Sequence, residues 1–217
     1  MNDVQGISEH CSEGARTETA AGRRQRRLRE ALITAAERAT AESGLPGLKA
    51  RDVAREAGCA LGAVYTAFAD LDALVLAVNA RTLDALDAHL RAASHPEAEP
   101  VARVVALAEA YLDYAARHRP RWAALFEHRM AAGREPPAWY SQKQAELFRH
   151  AEGPVAALRP GLDAAETACL ARTVFSAVHG VVSLGLDEKL APTPVETLRR
   201  QLRFLAEAMG RGLEARA

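Results

Sequence analysis

The chain has 217 residues, of which 49% are hydrophobic, 26% charged and 5% aromatic, the composition of one large or two small folded domains. Lys+Arg and Asp+Glu both number 28, so nucleic acid can be bound only by bases concentrated in one part of the chain. No apolar run approaches the roughly 20 residues of a membrane helix, the first twenty residues lack a hydrophobic signal core, and Cys11, Cys59 and Cys169 are odd in number and far apart, which argues against a disulfide framework; neither membrane insertion nor secretion is expected, and the cytoplasm is.

Isoleucine occurs only at Ile7 and Ile33, no stretch alternates with period two, and Ala, Leu, Arg and Glu dominate long segments, so the chain is expected to be all-α. Residues 1–22 have a net charge of −3 and no periodicity, and are read as a disordered leader. Residues 23–68 reverse the sign to a net +4, with Arg23, Arg24, Arg26, Arg27 and Arg29 in one run. Leu28, Ala31, Leu32, Ala35 and Ala39 fall at helical spacing, and Ser43-Gly44 predicts the stop. A short helix is predicted over Lys49 to Ala57 with Val53 and Ala54 inward, then a turn at Gly58. A third runs from Ala60 to Phe68 with Val64 and Phe68 locking it in place. Two short helices joined by a glycine turn are helix-turn-helix geometry. Asp70 can cap a fourth helix whose stripe (Leu71, Leu74, Val75, Val78, Leu83, Leu86, Leu90) continues to about Ala93. Five more helices are expected over about 101–118, 120–131, 138–158, 163–189 and 195–212, nine in all, broken where prolines fall.

The segment Gly47-Leu48-Lys49-Ala50-Arg51-Asp52-Val53-Ala54-Arg55-Glu56-Ala57-Gly58-Cys59-Ala60-Leu61-Gly62-Ala63-Val64-Tyr65-Thr66-Ala67-Phe68 resembles the DNA-binding domain of the tetracycline-repressor (TetR) family over about residues 26–86. Phe175-Ser176-Ala177-Val178-His179-Gly180-Val181-Val182-Ser183-Leu184 resembles that family's WHG-type regulatory domain, with phenylalanine where tryptophan is frequent. The resemblance implies a two-domain, nine-helix fold: a DNA-binding domain over 23–86, with its helix-turn-helix at about 49–68, and a ligand-binding and dimerisation domain over 87–217. It further implies a homodimeric transcription factor, usually a repressor, released from a palindromic operator in double-stranded DNA by a small molecule.

On the DNA side, the expected surface comprises Arg24, Arg27, Lys49, Arg51, Leu61, Gly62, Ala63, Tyr65 and Thr66. Tyr65 matches the family position that usually binds a phosphate, and Thr66 can donate to phosphate or pack on a thymine methyl. Arg51 has the fork that suits guanine. The arginine run serves the phosphate backbone or a minor groove, unless it is merely a solvated face. The chain departs from the family at Ala60, Ala63, Ala50 and Leu71, where capping or phosphate-contacting residues are common, so specificity is expected to lean on Arg51 and on DNA shape.

In the regulatory half, Tyr111, Tyr114, Trp122, Phe126, Tyr140, Phe148, Phe175 and His179 are candidates for an apolar effector pocket, against plain core packing for each. Val174, Ala177, Val181, Leu184, Leu198, Leu202, Leu205 and Met209 form two stripes that serve either the monomer's core or a four-helix dimer seam. Such a dimer would present two recognition helices about 34 Å apart. None of the seven histidines has metal-ligand spacing, so no metal or cofactor is expected, and Cys59 is read as a core filler or a thiol sensor. The motifs GxGxxG, GK[ST], HExxH, GxSxG and CxxC are all missing, which argues against an enzyme. The alanines at 50, 60 and 63 leave open a ligand-binding or interaction protein with weakened DNA reading.

Overall fold

The computed structural model describes residues 19–187 and 192–215, and among these it is helical throughout, with nine helices and no strand. The expected leader lies outside the described residues as far as residue 18. Its last three residues are corrected, because α1 (Ala20–Gly47) already begins at Ala20, where the Thr19 hydroxyl accepts from the Gly22 N–H at 3.1 Å. The arginine run therefore sits on a helix rather than on a free arm, with Arg24 and Arg27 three residues apart on one face. The helix breaks at Gly44, whose φ of 65° is costly for any residue with a Cβ.

Helices α2 (Ala50–Glu56) and α3 (Leu61–Ala67) are joined by a turn at Gly58, φ 69°. Phe68 and Val64 are buried against Leu32, Val53 and Leu74, forming a first core with α1 and the start of α4 (Leu71–Ala92). Cys59 packs against this core, which favours the filler reading. Asp70 caps α4 as expected, its carboxylate accepting from the Ala73 N–H at 2.8 Å. Burying a side chain such as Leu32 or Leu74 contributes about 1.5–3 kcal/mol each.

A second core gathers α5 (Pro100–Arg117), α6 (Arg119–Glu127), α7 (Ala138–Leu158), α8 (Ala164–Leu186) and α9 (Val195–Glu214). Leu86 and Leu90 of α4 belong to it, while Leu74, Val75 and Val78 of the same helix belong to the first core. Helix α4 thus crosses residue 86 unbroken and is shared by both units. Helix α6 ends at Glu127, four residues short of expectation, and the chain from His128 to Pro137 is irregular. Helix α8 opens with a reciprocal capping box between Asp163 and Glu166. It is also long and apolar enough to cross a membrane, which corrects the expectation that no such run exists. One face of α8 packs in the second core through Ala171, Val178 and Val182, and the core helix of a folded domain meets the same criterion.

Candidate DNA-binding surface and effector cavity

The surface expected to meet DNA is assembled as a unit on α1–α3. Arg24, Arg27, Lys49, Arg51, Leu61, Gly62, Tyr65 and Thr66 are exposed, Tyr65 at 54%, and Ala63 is half-buried. Among the described residues Arg51 has no ion pair, whereas its neighbours Asp52 and Arg55 pair with each other at 2.8 Å and Arg38 pairs with Glu56 at 2.9 Å. Thr66 requires a correction: its hydroxyl donates to the Gly62 carbonyl at 3.1 Å, so its single proton is already used within α3 and it is left to accept or to pack. No side chain caps α3, as Ala60 implies.

Sequence reasoning counted Arg29 only as one base among nine. Its guanidinium in fact donates to the Ala67 carbonyl at the end of α3 at 2.9 Å and lies 4.0 Å from the Phe68 ring centroid. It satisfies a terminal carbonyl and adds a cation–π contact, so it fixes α3 on α1.

In the second unit a cavity of about 70 Å³ lies between α4, α5, α7 and α8. Tyr111, Phe148 and Phe175 line it as expected, with Leu90, Leu107, Leu147, Val155, Val174 and Val178. The other candidates stand elsewhere. Trp122 and His179 form the layer behind Tyr111: the Trp122 Nε1–H donates to the Tyr111 hydroxyl at 2.9 Å, and that hydroxyl shares a hydrogen bond with His179 Nδ1 at 2.8 Å. Burial raises the Tyr111 phenol and lowers the His179 imidazole, so both stay neutral. Phe126 is 44% exposed and covers His179 from outside, with ring centroids 4.1 Å apart. Tyr114 is corrected to a tie between helices, donating from α5 to the Thr82 carbonyl of α4 at 3.1 Å, and Tyr140 packs on Leu76 and Leu83 of α4. Spacing located these aromatics on the right helices but could not tell which side of each helix faces the cavity.

Two cavity residues escaped the sequence reading. His150 Nε2 reaches Asp87 of α4 at 2.8 Å, joining the cavity wall to the shared helix. Pro154, within α7 and lining the cavity, has no N–H for the His150 carbonyl one turn earlier, so α7 lacks a hydrogen bond there.

A further joint connects the two units. Glu37 of α1 receives Arg121 of α6 on one oxygen and Arg81 of α4 on the other, each at 2.9 Å. Arg81 also pairs with Glu30 and donates to Thr34 at 3.2 Å. Of these four charges, Glu37, Arg81 and Arg121 are mostly buried and Glu30 is exposed.

The dimer stripes divide between two environments. Leu198 and Leu202, 2% and 0% exposed, are corrected to the protomer's own core, and Val174 to the cavity wall, because the main apolar stripe of an amphipathic helix covers its own domain first. Leu205 is half-buried, and Val181 and Met209 are partly buried against that core. Leu184 is 47% exposed and Ala177 half-buried on the flank of α8; a Cβ added to nearby Gly180 would meet nothing within 4 Å, so a partner helix has room to approach. Phe204 of α9, 75% exposed, was overlooked because it lies off the main stripe. No group of three or more His, Cys, Asp or Glu among the described residues is placed to hold a metal ion.

A helix-turn-helix unit displaying exposed arginine and tyrosine, carried on a helical domain with an apolar cavity, defines a DNA-binding regulator of the helix-turn-helix class. The chain belongs to the TetR family, whose members are transcriptional regulators and not enzymes, bind DNA and form dimers. Residues 32–78 match the family model described as bacterial regulatory proteins, tetR family, and residues 104–209 match the tetracyclin repressor-like C-terminal domain, which contains the Phe175–Leu184 stretch. Among solved structures it is similar to a protein of unknown function from Rhodococcus sp. RHA1 (26% identity, 86% of this chain and 95% of that one, TM-score 0.68). It is also similar to a TetR transcriptional regulator from the same organism (17%, 86% and 97%, 0.61). A third likeness is to the Q116A variant of TetR from Acinetobacter baumannii AYE in complex with minocycline (17%, 85% and 94%, 0.61). At 17% identity these last two share the fold alone. No curated protein matches the chain.

Proposed function

We propose that this protein is a cytoplasmic repressor that binds a palindromic operator as a homodimer and leaves it when a small apolar molecule enters the cavity between α4, α5, α7 and α8. DNA is read by the unit over 23–86, and effector binding and dimerisation belong to 87–217. The cavity carries the effector assignment: its wall is hydrocarbon and aromatic, and its one hydroxyl, on Tyr111, is already satisfied by Trp122 and His179. A charged ligand would lose its hydration there, since the one other polar group of the wall, the His150 imidazole, is already held by Asp87.

An occupant larger than about 70 Å³ must displace α7 at its weakened turn or press on Tyr111. The first movement pulls on His150–Asp87 and therefore on α4. The second pushes α6 through Trp122, beside Arg121 and its Glu37 partner on α1. Either changes the spacing of two recognition helices in a dimer, so that both half-sites can no longer be engaged together. The test is a thermal-shift screen of uncharged aromatic and alkyl compounds, followed by operator affinity with each stabilising compound. A fall of at least tenfold is expected, and unchanged affinity with a bound compound refutes the scheme. The operator itself comes from sequencing genomic fragments selected by the protein. Uniform recovery of all fragments would instead favour an interaction protein whose alanine-rich α3 no longer reads sequence.

Within the DNA surface, Arg51 and Arg24 have separate roles. Arg51→Ala is expected to cost about 1–3 kcal/mol on the operator and to relax its sequence preference, as for a fork on a base edge. Arg24→Ala is expected to weaken all sequences alike and to lower the salt slope by about one, as for a phosphate contact. Binding assays at several salt concentrations separate the two, and identical behaviour of both variants refutes the division.

A further inference from the structure

A second hollow of about 290 Å³ lies between α4, the end of α6, the irregular segment after it and the start of α7; it shares no residue with the apolar cavity. Its chemistry is different. Asn79, Tyr140, His128 and Gln144 line it beside Leu76 and Met130. The chain contains only two asparagines, Asn2 and Asn79, and the second sits in the middle of α4 at 1% exposure. Its Nδ2 donates to the Ala124 carbonyl at 3.2 Å, while its Oδ1 is buried and accepts from nothing. The Ala124 carbonyl already accepts from the His128 N–H at 3.3 Å, so it does not need the asparagine. His128 Nε2 is likewise buried without a hydrogen bond, its nearest carboxylate, Asp72, being 3.8 Å away. Each such group costs about 1–3 kcal/mol when left unmade, and packing alone would be better served by leucine at 79.

The surroundings decide which ligand fits. Burial raises the Tyr140 phenol, against a smaller lowering by a side-chain hydrogen bond with Asn79; the phenol stays protonated, its own proton free to be donated. At the rim Asp70 and Asp72 flank Arg134, at 2.5 and 3.8 Å. The Ala73 N–H, followed by Arg134, holds the Asp70 carboxyl below its usual range, so both aspartates are ionised and occupy the guanidinium of Arg134, which itself lines the hollow.

We propose that this hollow is a second effector site, for a small neutral molecule bearing a primary carboxamide. The ligand's NH2 donates to Asn79 Oδ1, its carbonyl accepts from the Tyr140 hydroxyl, and its body rests on Leu76 and Met130. A hydrocarbon is rejected because it leaves Asn79 unpaired, and a carboxylate because it has no donor for Asn79 Oδ1, while the one lining cation, Arg134, is already engaged by Asp70 and Asp72. Asn79 lies nine residues beyond Asp70, about 13 Å along α4, so the occupant bears on the shared helix close to its junction with α3.

The test uses the full chain labelled with ¹⁵N-asparagine, in which the Asn79 side-chain amide is one of two such signals, with benzamide and benzoate as probes. Benzamide is expected to shift the Asn79 signal saturably and benzoate to leave it unmoved. By calorimetry, Asn79→Leu weakens benzamide at least tenfold while melting no lower than the native chain, which shows that it folds. Tyr140→Phe gives a smaller loss, and Val178→Phe, which fills the apolar cavity, gives none. The proposal is overturned if benzamide gives no saturable shift, as expected of a site that holds only water. It is equally overturned if benzoate matches benzamide, if Asn79→Leu leaves the affinity intact, or if Val178→Phe abolishes it.

Discussion

Phe204→Glu is expected to convert the dimer to monomers at micromolar concentration and to lower operator affinity at least about 100-fold, with the protomer still folded. The ring is 75% exposed on α9, so the protomer loses almost nothing when it is replaced. In a seam formed by α8 and α9 the ring would be buried twice, once from each copy. Burial of a phenylalanine contributes about 1.5–3 kcal/mol, and a glutamate in its place adds the cost of removing a charge from water. The flank formed by Leu184, Ala177 and the open side of Gly180 is the companion surface on α8. Operator affinity falls with dimerisation because the second half-site is bound at high effective concentration only while the two domains are linked. Sedimentation equilibrium and an operator titration check both halves of the expectation. A variant that stays dimeric and binds as before would place the seam on another face. Leu202→Glu is the contrast: at 0% exposure it puts a charge in the protomer's own core, and the chain should unfold rather than dissociate.

Glu37→Ala is expected to lower the melting temperature by about 4–8 °C and to loosen α1 and α6 together, read by amide hydrogen exchange in both helices. The physical reason is asymmetry. One carboxylate serves two guanidiniums, and its removal leaves Arg121 and Arg81 mostly buried, with Arg81 retaining Glu30 and the Thr34 hydroxyl. Removing one partner of a fully buried pair costs about 3–5 kcal/mol; these side chains keep 19–28% exposure, so about 2 kcal/mol is appropriate, which in a domain of this size corresponds to the stated shift. Glu37→Gln, which keeps the shape and can still accept hydrogen bonds, should recover part of the loss. If exchange rises in α1 but not in α6, the joint does not couple the two units.

Much of the architecture was legible before any coordinates. Proline and glycine placed most helix ends within a few residues: Gly58 marks the turn, Asp70 caps α4, and Pro136-Pro137 precedes α7. Termini are set by local backbone chemistry, which a short window of sequence contains. The start of α1 was misplaced because Thr19, a good cap, stands in an otherwise acidic and aperiodic stretch. Candidate site residues fared unevenly for the same kind of reason. The helix-turn-helix is so short that few arrangements of its inward and outward positions are possible, and the residues expected to face outward are exposed apart from the half-buried Ala63, with Thr66 bonded within α3. In the longer helices more than one face is apolar, and periodicity does not say which neighbour each face meets. Tyr111 reached the cavity while Tyr114, three residues on, turned to α4.

The sequence by itself determined the helical class, the order of the elements, the basic first unit with its recognition helix, and the family, because these depend on propensity, punctuation and spacing along the chain. Only the tertiary structure decided that Arg29 clamps α3, that Glu37 joins the two units, that Leu198 and Leu202 serve the protomer while Phe204 stays exposed, and that Asn79 lines a hollow with an oxygen unpaired. Each of these depends on contacts between helices 38 or more residues apart, or on which flank of a helix its neighbours leave uncovered. Such contacts are set by how whole helices pack, and no local window of sequence carries that information.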